Sequence, residues 1–164
     1  MSADQPSDSA RKQYFTKVRE DFPELMDVAG QKFLKRFAMR YGENPGYPAA
    51  FYVEERASGP NMSTMNVLQE GSKGLSYINV GDMDLGQRLA MKLTAVFPGR
   101  KAAVMIKHEM PSGVALGDTP EEAFERAWNV DALSNFGSVD VFNFAVNAAV
   151  ARFLVESPRN VEVV

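Results

Sequence analysis

The 164-residue sequence contains no cysteine and one histidine, His108. The first absence removes disulfides, thiolate nucleophiles and cysteine-ligated zinc together. The second rules out a histidine-rich metal site. No apolar run approaches the ~18 residues needed to cross a bilayer, so no membrane partner is expected. The opening residues, MSADQPSDSARKQ, lack the hydrophobic centre of a secretory signal, and a cytoplasmic location is expected. Basic residues are not in excess: the formal net charge is -3, which gives no reason to expect nucleic acid as a partner.

What is present fits an ordinary soluble domain. Hydrophobic residues make up 45% and charged residues 24%, and the length suffices to bury a core. Residues 1–12, rich in Ser, Asp and Ala, are expected to be a disordered lead-in. Residues 13–39 read as a helical segment: Phe15, Val18 and Phe22 recur at helical spacing, and Leu25, Val28, Phe33, Leu34 and Phe37 resume it around Gly30. Lys32, Lys35 and Arg36 are expected on its solvated face.

From residue 40 to 164 the pattern becomes that of one α/β domain. Arg40 to Pro48, RYGENPGYP, holds two glycines and two prolines and is a loop. Ala49 to Glu55 reads as a strand and Met65 to Gln69 as a shorter one. Asp82 or Asp84 is placed to cap a helix lined by Leu85, Leu89, Leu93 and Val96. Two carboxylates there are read as caps in preference to metal ligands, and no metal is expected. Lys101 to His108 is a buried strand, ended by a Pro111-Ser112-Gly113 turn. Thr119-Pro120-Glu121-Glu122 opens another helix as a capping box. A strand over 139–144, a helix over 145–155, a turn over 157–160 and a final apolar strand complete a layered mixed sheet with helices on both faces. The run VEVV stops in mid-strand, which suggests half of a larger unit.

Lys107 and His108 lie at the end of the most apolar strand, where α/β folds collect ligands. Histidine titrates near neutrality and lysine carries a fixed charge, so the pair could bind an anion and move a proton. A plain structural role for both stays open on these residues alone.

Four segments in order, RYGENP…AAFY, LSYINVGDMD, VMIKHEMPSGVA and DALSNFGS, closely resemble the AICAR transformylase family. That family forms the formyltransferase part of the bifunctional purine-biosynthesis enzyme that also acts as IMP cyclohydrolase. Its motifs run RYGxNPHQ, LSYNNxxDxDAA, KHxNPCGxA and DPxSAFGG. The resemblance implies a deaminase-like α/β half-domain, the first of two in a transformylase unit. It also implies transfer of a formyl group from 10-formyltetrahydrofolate, as co-substrate, to the 5-amino group of the AICAR nucleotide, a step in IMP biosynthesis. Lys107 and His108 would be the catalytic pair. Arg40 and Tyr41 would contact the nucleotide, and Ser134, Phe136 and Gly137 would shape the same pocket. A homodimer, or a second polypeptide supplying the other half, would complete the site.

The sequence departs from the family at Gly46-Tyr47, at Ile78, at Glu109-Met110, which sets an acid beside the histidine, at Ser112, and at Ala132, Asn135 and Ser138. The other reading is a non-catalytic nucleotide-binding or regulatory relative that lacks the folate half. The zinc deamination suggested by a deaminase-like fold is set aside for want of cysteines.

Overall fold

The computed structural model describes residues 21–155 and 160–164. The expected lead-in over 1–12, the start of the expected helical segment and most of the 157–160 turn fall outside them. The chain divides into two compact units, Met1–Ile78 and Asn79–Val164.

In the first unit, strands β1 (Leu25–Val28), β2 (Gln31–Ala38) and β3 (Ala50–Glu54) form an antiparallel sheet in that order. This corrects the helical reading of residues 25–38. The governing period is two: Phe33, Lys35 and Phe37 share the less exposed face of β2, while Leu34 and Arg36 alternate with them. Lys35 disguises the alternation because a lysine occupies an inward position. It pairs with Glu24, and its Nζ donates to the Phe22 carbonyl at 2.9 Å, so it is not part of a solvated face. Ala29 and Gly30, both at positive φ, make the two-residue turn from β1 to β2, and Asp27 Oδ1 accepts from Gly30 N at 2.8 Å. Residues 65–69 form no strand. A 3-10 turn over Met62–Thr64, capped by Asn61, precedes them.

The second unit is a four-stranded sheet in the order β5-β4-β6-β7, built from β4 (Lys101–Lys107), β5 (Met110–Gly117), β6 (Ser138–Phe142) and β7 (Val161–Val163). All its pairings are antiparallel except β6 with β7. Helices α1 (Tyr77–Val96), α2 (Pro120–Trp128) and α3 (Ala148–Val155) accompany it.

Strand β4 explains the layering. Its residues from Ala102 to Ile106 have no solvent exposure, as an apolar run buried on both faces requires. Ala103 and Met105 point into a cluster with Phe124, Ala127 and Trp128 of α2 and Val150 of α3. Val104 and Ile106 point the other way, onto Ala90, Leu85, Leu89 and Leu93 of α1. The sheet is therefore covered on both faces, as expected. Phe124 anchors the first cluster, with ring centroids 6.2 Å from Trp128 and 6.1 Å from both Phe142 and Phe153.

Helix α2 starts where expected, with Thr119 Oγ1 accepting from Glu122 N at 3.2 Å and Pro120 in the first position, while the Glu122 carboxylate accepts from Asp118 N at 2.6 Å, one residue before the cap. Helix α1 differs from expectation. It begins at Tyr77, so Asp82 and Asp84 lie inside it and cap nothing. Asp84 pairs with Arg88 at 3.0 Å, and Val96, expected on the buried face, is exposed at the helix end. Gly86 sets how closely α1 approaches the sheet: a Cβ there would lie 2.6 Å from Val141 Cγ2 and 3.3 Å from Ile106 Cγ1. Only a residue without a side chain fits.

Candidate functional site

Strand β4 delivers Lys107 to the edge of the core, and the chain reverses at once. Lys107 pairs with Met110 across the β4–β5 hairpin, leaving His108 and Glu109 as a two-residue turn. Both adopt left-handed backbone, φ 53° and 59°, the geometry of a type I′ turn. Neither is glycine, so each conformation costs roughly 1–2 kcal/mol that its surroundings must offset. The turn expected at Pro111-Ser112-Gly113 is therefore misplaced: those residues lie within β5. They form a bulge there, with Ile106 opposite Pro111 and Met105 opposite Gly113. A bulge on an edge strand is where a proline, lacking an N–H, is tolerated. Gly113 is required for a different reason than a turn, since a Cβ would lie 2.2 Å from the Ala127 carbonyl oxygen.

Two carboxylates organise the residues around this turn. Asp82, 4% exposed in α1, accepts a 2.6 Å hydrogen bond from the backbone N–H of Glu109. Burial raises its carboxyl above the usual range, and the N–H groups of Glu109 and His108 and the His108 ring oppose that rise. Asp131 opens the loop after α2. Its carboxylate accepts from Ser134 Oγ at 2.6 Å and from Ser134 N at 3.0 Å, contacts that hold it below the usual range. The loop then rises to Phe136, whose carbonyl accepts from Lys107 Nζ at 2.5 Å. Gly137, φ 78°, ends it.

Lys107, His108, Ser134, Phe136 and Gly137 thus all lie in the second unit, and one hydrogen bond joins the hairpin to the loop. Arg40 and Tyr41 belong to the first unit. There the Arg40 guanidinium sits 5.0 Å from the Tyr41 ring centroid. Both are buried, and Arg40 Nε has no partner among the described residues. Arg40 N donates to the Leu75 carbonyl and Tyr77 N to that of Tyr41, which ties RYGENP to LSY within that unit.

Beneath the loop lies a buried polar group that sequence reasoning registered only as departures, or not at all. Asn135 Nδ2 donates to the carbonyls of Ala127 at 3.2 Å and Trp128 at 2.9 Å. Ser138 Oγ lies 2.8 Å from the Asn135 carbonyl and 2.6 Å from Asp140 Oδ1, yet a hydroxyl has one hydrogen to give. The shorter contact, to the carboxylate, takes that hydrogen, and the Asn135 carbonyl also accepts from Ser138 N at 3.2 Å. Burial pushes the Asp140 carboxyl up to about 7, and the Ser138 hydroxyl opposes that rise. A polar residue in the alternating run of β6 was the signal available in the sequence.

No group of three or more potential metal-ligating side chains occurs among the described residues, and no described helix is long and apolar enough to cross a membrane.

A three-layered α/β unit with a lysine-histidine hairpin braced by an SxFG loop, Ser134 to Gly137, defines the class of protein. The sequence model of the AICARFT/IMPCHase bienzyme matches residues 4–164, and the chain belongs to that purine-biosynthesis family. The bifunctional purine biosynthesis protein PurH of Fusobacterium nucleatum subsp. nucleatum is 36% identical over 137 residues, covering 84% of this chain and 25% of that relative. The chain thus spans about a quarter of the length of the relative it matches.

Proposed function

We propose that the chain contributes the lysine-histidine half of a formyltransferase site, acting in the cytoplasm on the AICAR nucleotide with 10-formyltetrahydrofolate as formyl donor. A second copy of the chain or another polypeptide completes the pocket. The observation that carries this reading is the hydrogen bond from Lys107 Nζ to the Phe136 carbonyl, which holds the ammonium between two motif segments and leaves two further N–H donors without a partner among the described residues.

In the proposed reaction the AICAR amine attacks the formyl carbon and forms a C–N bond. Neutral His108 takes the amine proton as general base. Lys107 faces the negative charge that develops on the formyl oxygen, a contact worth ~10²–10³ in rate at comparable sites. The bond from folate N10 to the formyl carbon then breaks, and that nitrogen leaves with a proton. Arg40, buried with an unsatisfied Nε, suits a phosphate or carboxamide oxygen of the nucleotide.

Purified chain, alone and mixed with co-purifying partner, should transfer formyl from 10-formyltetrahydrofolate to AICAR. Retained AICAR binding at micromolar concentration with no turnover under either condition would replace this reading with that of a nucleotide-binding or regulatory relative. The Glu109 carboxylate beside His108 is the observation that favours that second reading.

A further inference from the structure

The turn bearing His108 is strained, tightly placed, and held from outside its own hairpin. Two consecutive residues with side chains occupy left-handed backbone at φ 53° and 59°, a conformation they adopt only where the surroundings over-determine it. The β4–β5 ladder fixes Lys107 and Met110 at either end, but it offers the two turn residues no ladder partner.

Helix α1 supplies that partner. Gly86 brings the helix so near the sheet that a methyl group would collide with Val141 and come within 3.3 Å of Ile106. One turn earlier on the same face, Asp82 is carried under the hairpin, 4% exposed, with Oδ1 2.6 Å from Glu109 N. The neighbouring N–H of His108 also acts on that carboxylate, as does the charge of the His108 ring. The Glu109 side chain folds over the helix in turn: a Cβ on Gly81 would lie 3.2 Å from Glu109 Oε1. A buried carboxylate receiving successive backbone N–H groups is a strong anchor, since charge-assisted hydrogen bonds are short and stiff.

We propose that Asp82 is a positioning residue: its buried carboxylate pins the His108-Glu109 turn and so fixes the direction in which the imidazole is presented. Its kinetic consequence rests on the formyl-transfer reading above. Its structural consequence does not.

The experiment compares the full chain with Asp82→Asn, Asp82→Ala and the double variant Asp82→Ala/Glu109→Gly. Three quantities are followed: backbone amide exchange by NMR, thermal unfolding, and formyl transfer to AICAR. In Asp82→Ala the Glu109 amide should exchange about tenfold faster or more, as loss of one charge-assisted hydrogen bond requires. The kcat should fall by ~10²-fold, the penalty of a misplaced reacting group, with AICAR binding kept. Asp82→Asn keeps an acceptor oxygen and should fall between the two. Glycine at 109 accepts positive φ freely, so the double variant should regain stability without regaining turnover. Unchanged exchange at Glu109 in folded Asp82→Ala overturns the proposal. So does turnover that recovers together with stability, which would make the role merely structural. If the unaltered chain and its partner mixtures show no turnover, the formyl-transfer reading fails. Amide exchange at Glu109 and the shift of the lone histidine's ring signals then decide the positioning claim.

Discussion

The Lys107 ammonium and the Phe136 carbonyl, 29 residues apart in sequence, meet at 2.5 Å and tie the hairpin to the loop after α2. The contact is exposed and orients the ammonium more than it stabilises the fold. In the proposed reaction, Lys107→Met should reduce formyl transfer by ~10²–10³. Thermal denaturation should meanwhile show a loss of no more than about 1 kcal/mol, since an exposed hydrogen bond contributes little. A drop of several kcal/mol would assign the lysine to structure.

Asp140 makes stability depend on pH in a definite direction. Its carboxyl is raised to about 7 in the fold from an ordinary value of 3.8. Between those values the folded chain holds a proton that the unfolded chain has lost. This group's contribution therefore declines as pH rises through the window, and is level below it and above it. The interval corresponds to at most about 4 kcal/mol. Asp140→Asn supplies a donor at every pH, so the melting temperature of the variant minus that of the unaltered chain should widen from about pH 5 to about pH 8. A difference that stays constant with pH would place the titration elsewhere.

Two glycines, one inside helix α1 and one inside strand β5, are required by close approach. Gly86→Ala forces a methyl group against Val141 and should destabilise by about 1–3 kcal/mol. Gly113→Ala meets the Ala127 carbonyl, which belongs to helix backbone and cannot rotate away. It should cost more, measured as a larger fall in the urea midpoint than Gly86→Ala produces.

Glu109 sits at φ 59°, where glycine is at ease. Glu109→Gly should stabilise the chain by about 0.5–1 kcal/mol, because the left-handed penalty of roughly 1–2 exceeds the added unfolded-state entropy of roughly 0.5–1. Equilibrium denaturation reads the sign directly.

The parts of this fold that announce themselves locally were legible in the sequence. The apolar run of β4 and the Thr119-Pro120 start of α2 were read with nearly their true bounds, because burial on both faces and capping chemistry leave marks within a few residues. The β1–β2 hairpin was not, because Lys35 at an inward position broke the alternation. The His108-Glu109 turn carries none of the Asn-Gly chemistry that usually signals it, whereas Pro111-Ser112-Gly113 carries turn chemistry and serves as a bulge. Asp82 and Asp140 owe their importance to partners and burial supplied by the tertiary fold, and local pattern cannot report that. The lysine and the SxFG loop were associated through family motifs, and the structure supplies the hydrogen bond between them.

The single tryptophan, Trp128, is packed against Phe124, and its main-chain carbonyl receives Asn135. All five tyrosines, Tyr14, Tyr41, Tyr47, Tyr52 and Tyr77, fall in Met1–Ile78, and the tryptophan falls in Asn79–Val164. The two units are therefore spectrally labelled by nature. Red-edge excitation reports on the indole and the loop it supports, while phenol emission reports on the other unit. A single melt followed in both channels shows whether the two units lose their structure in one cooperative step or in succession.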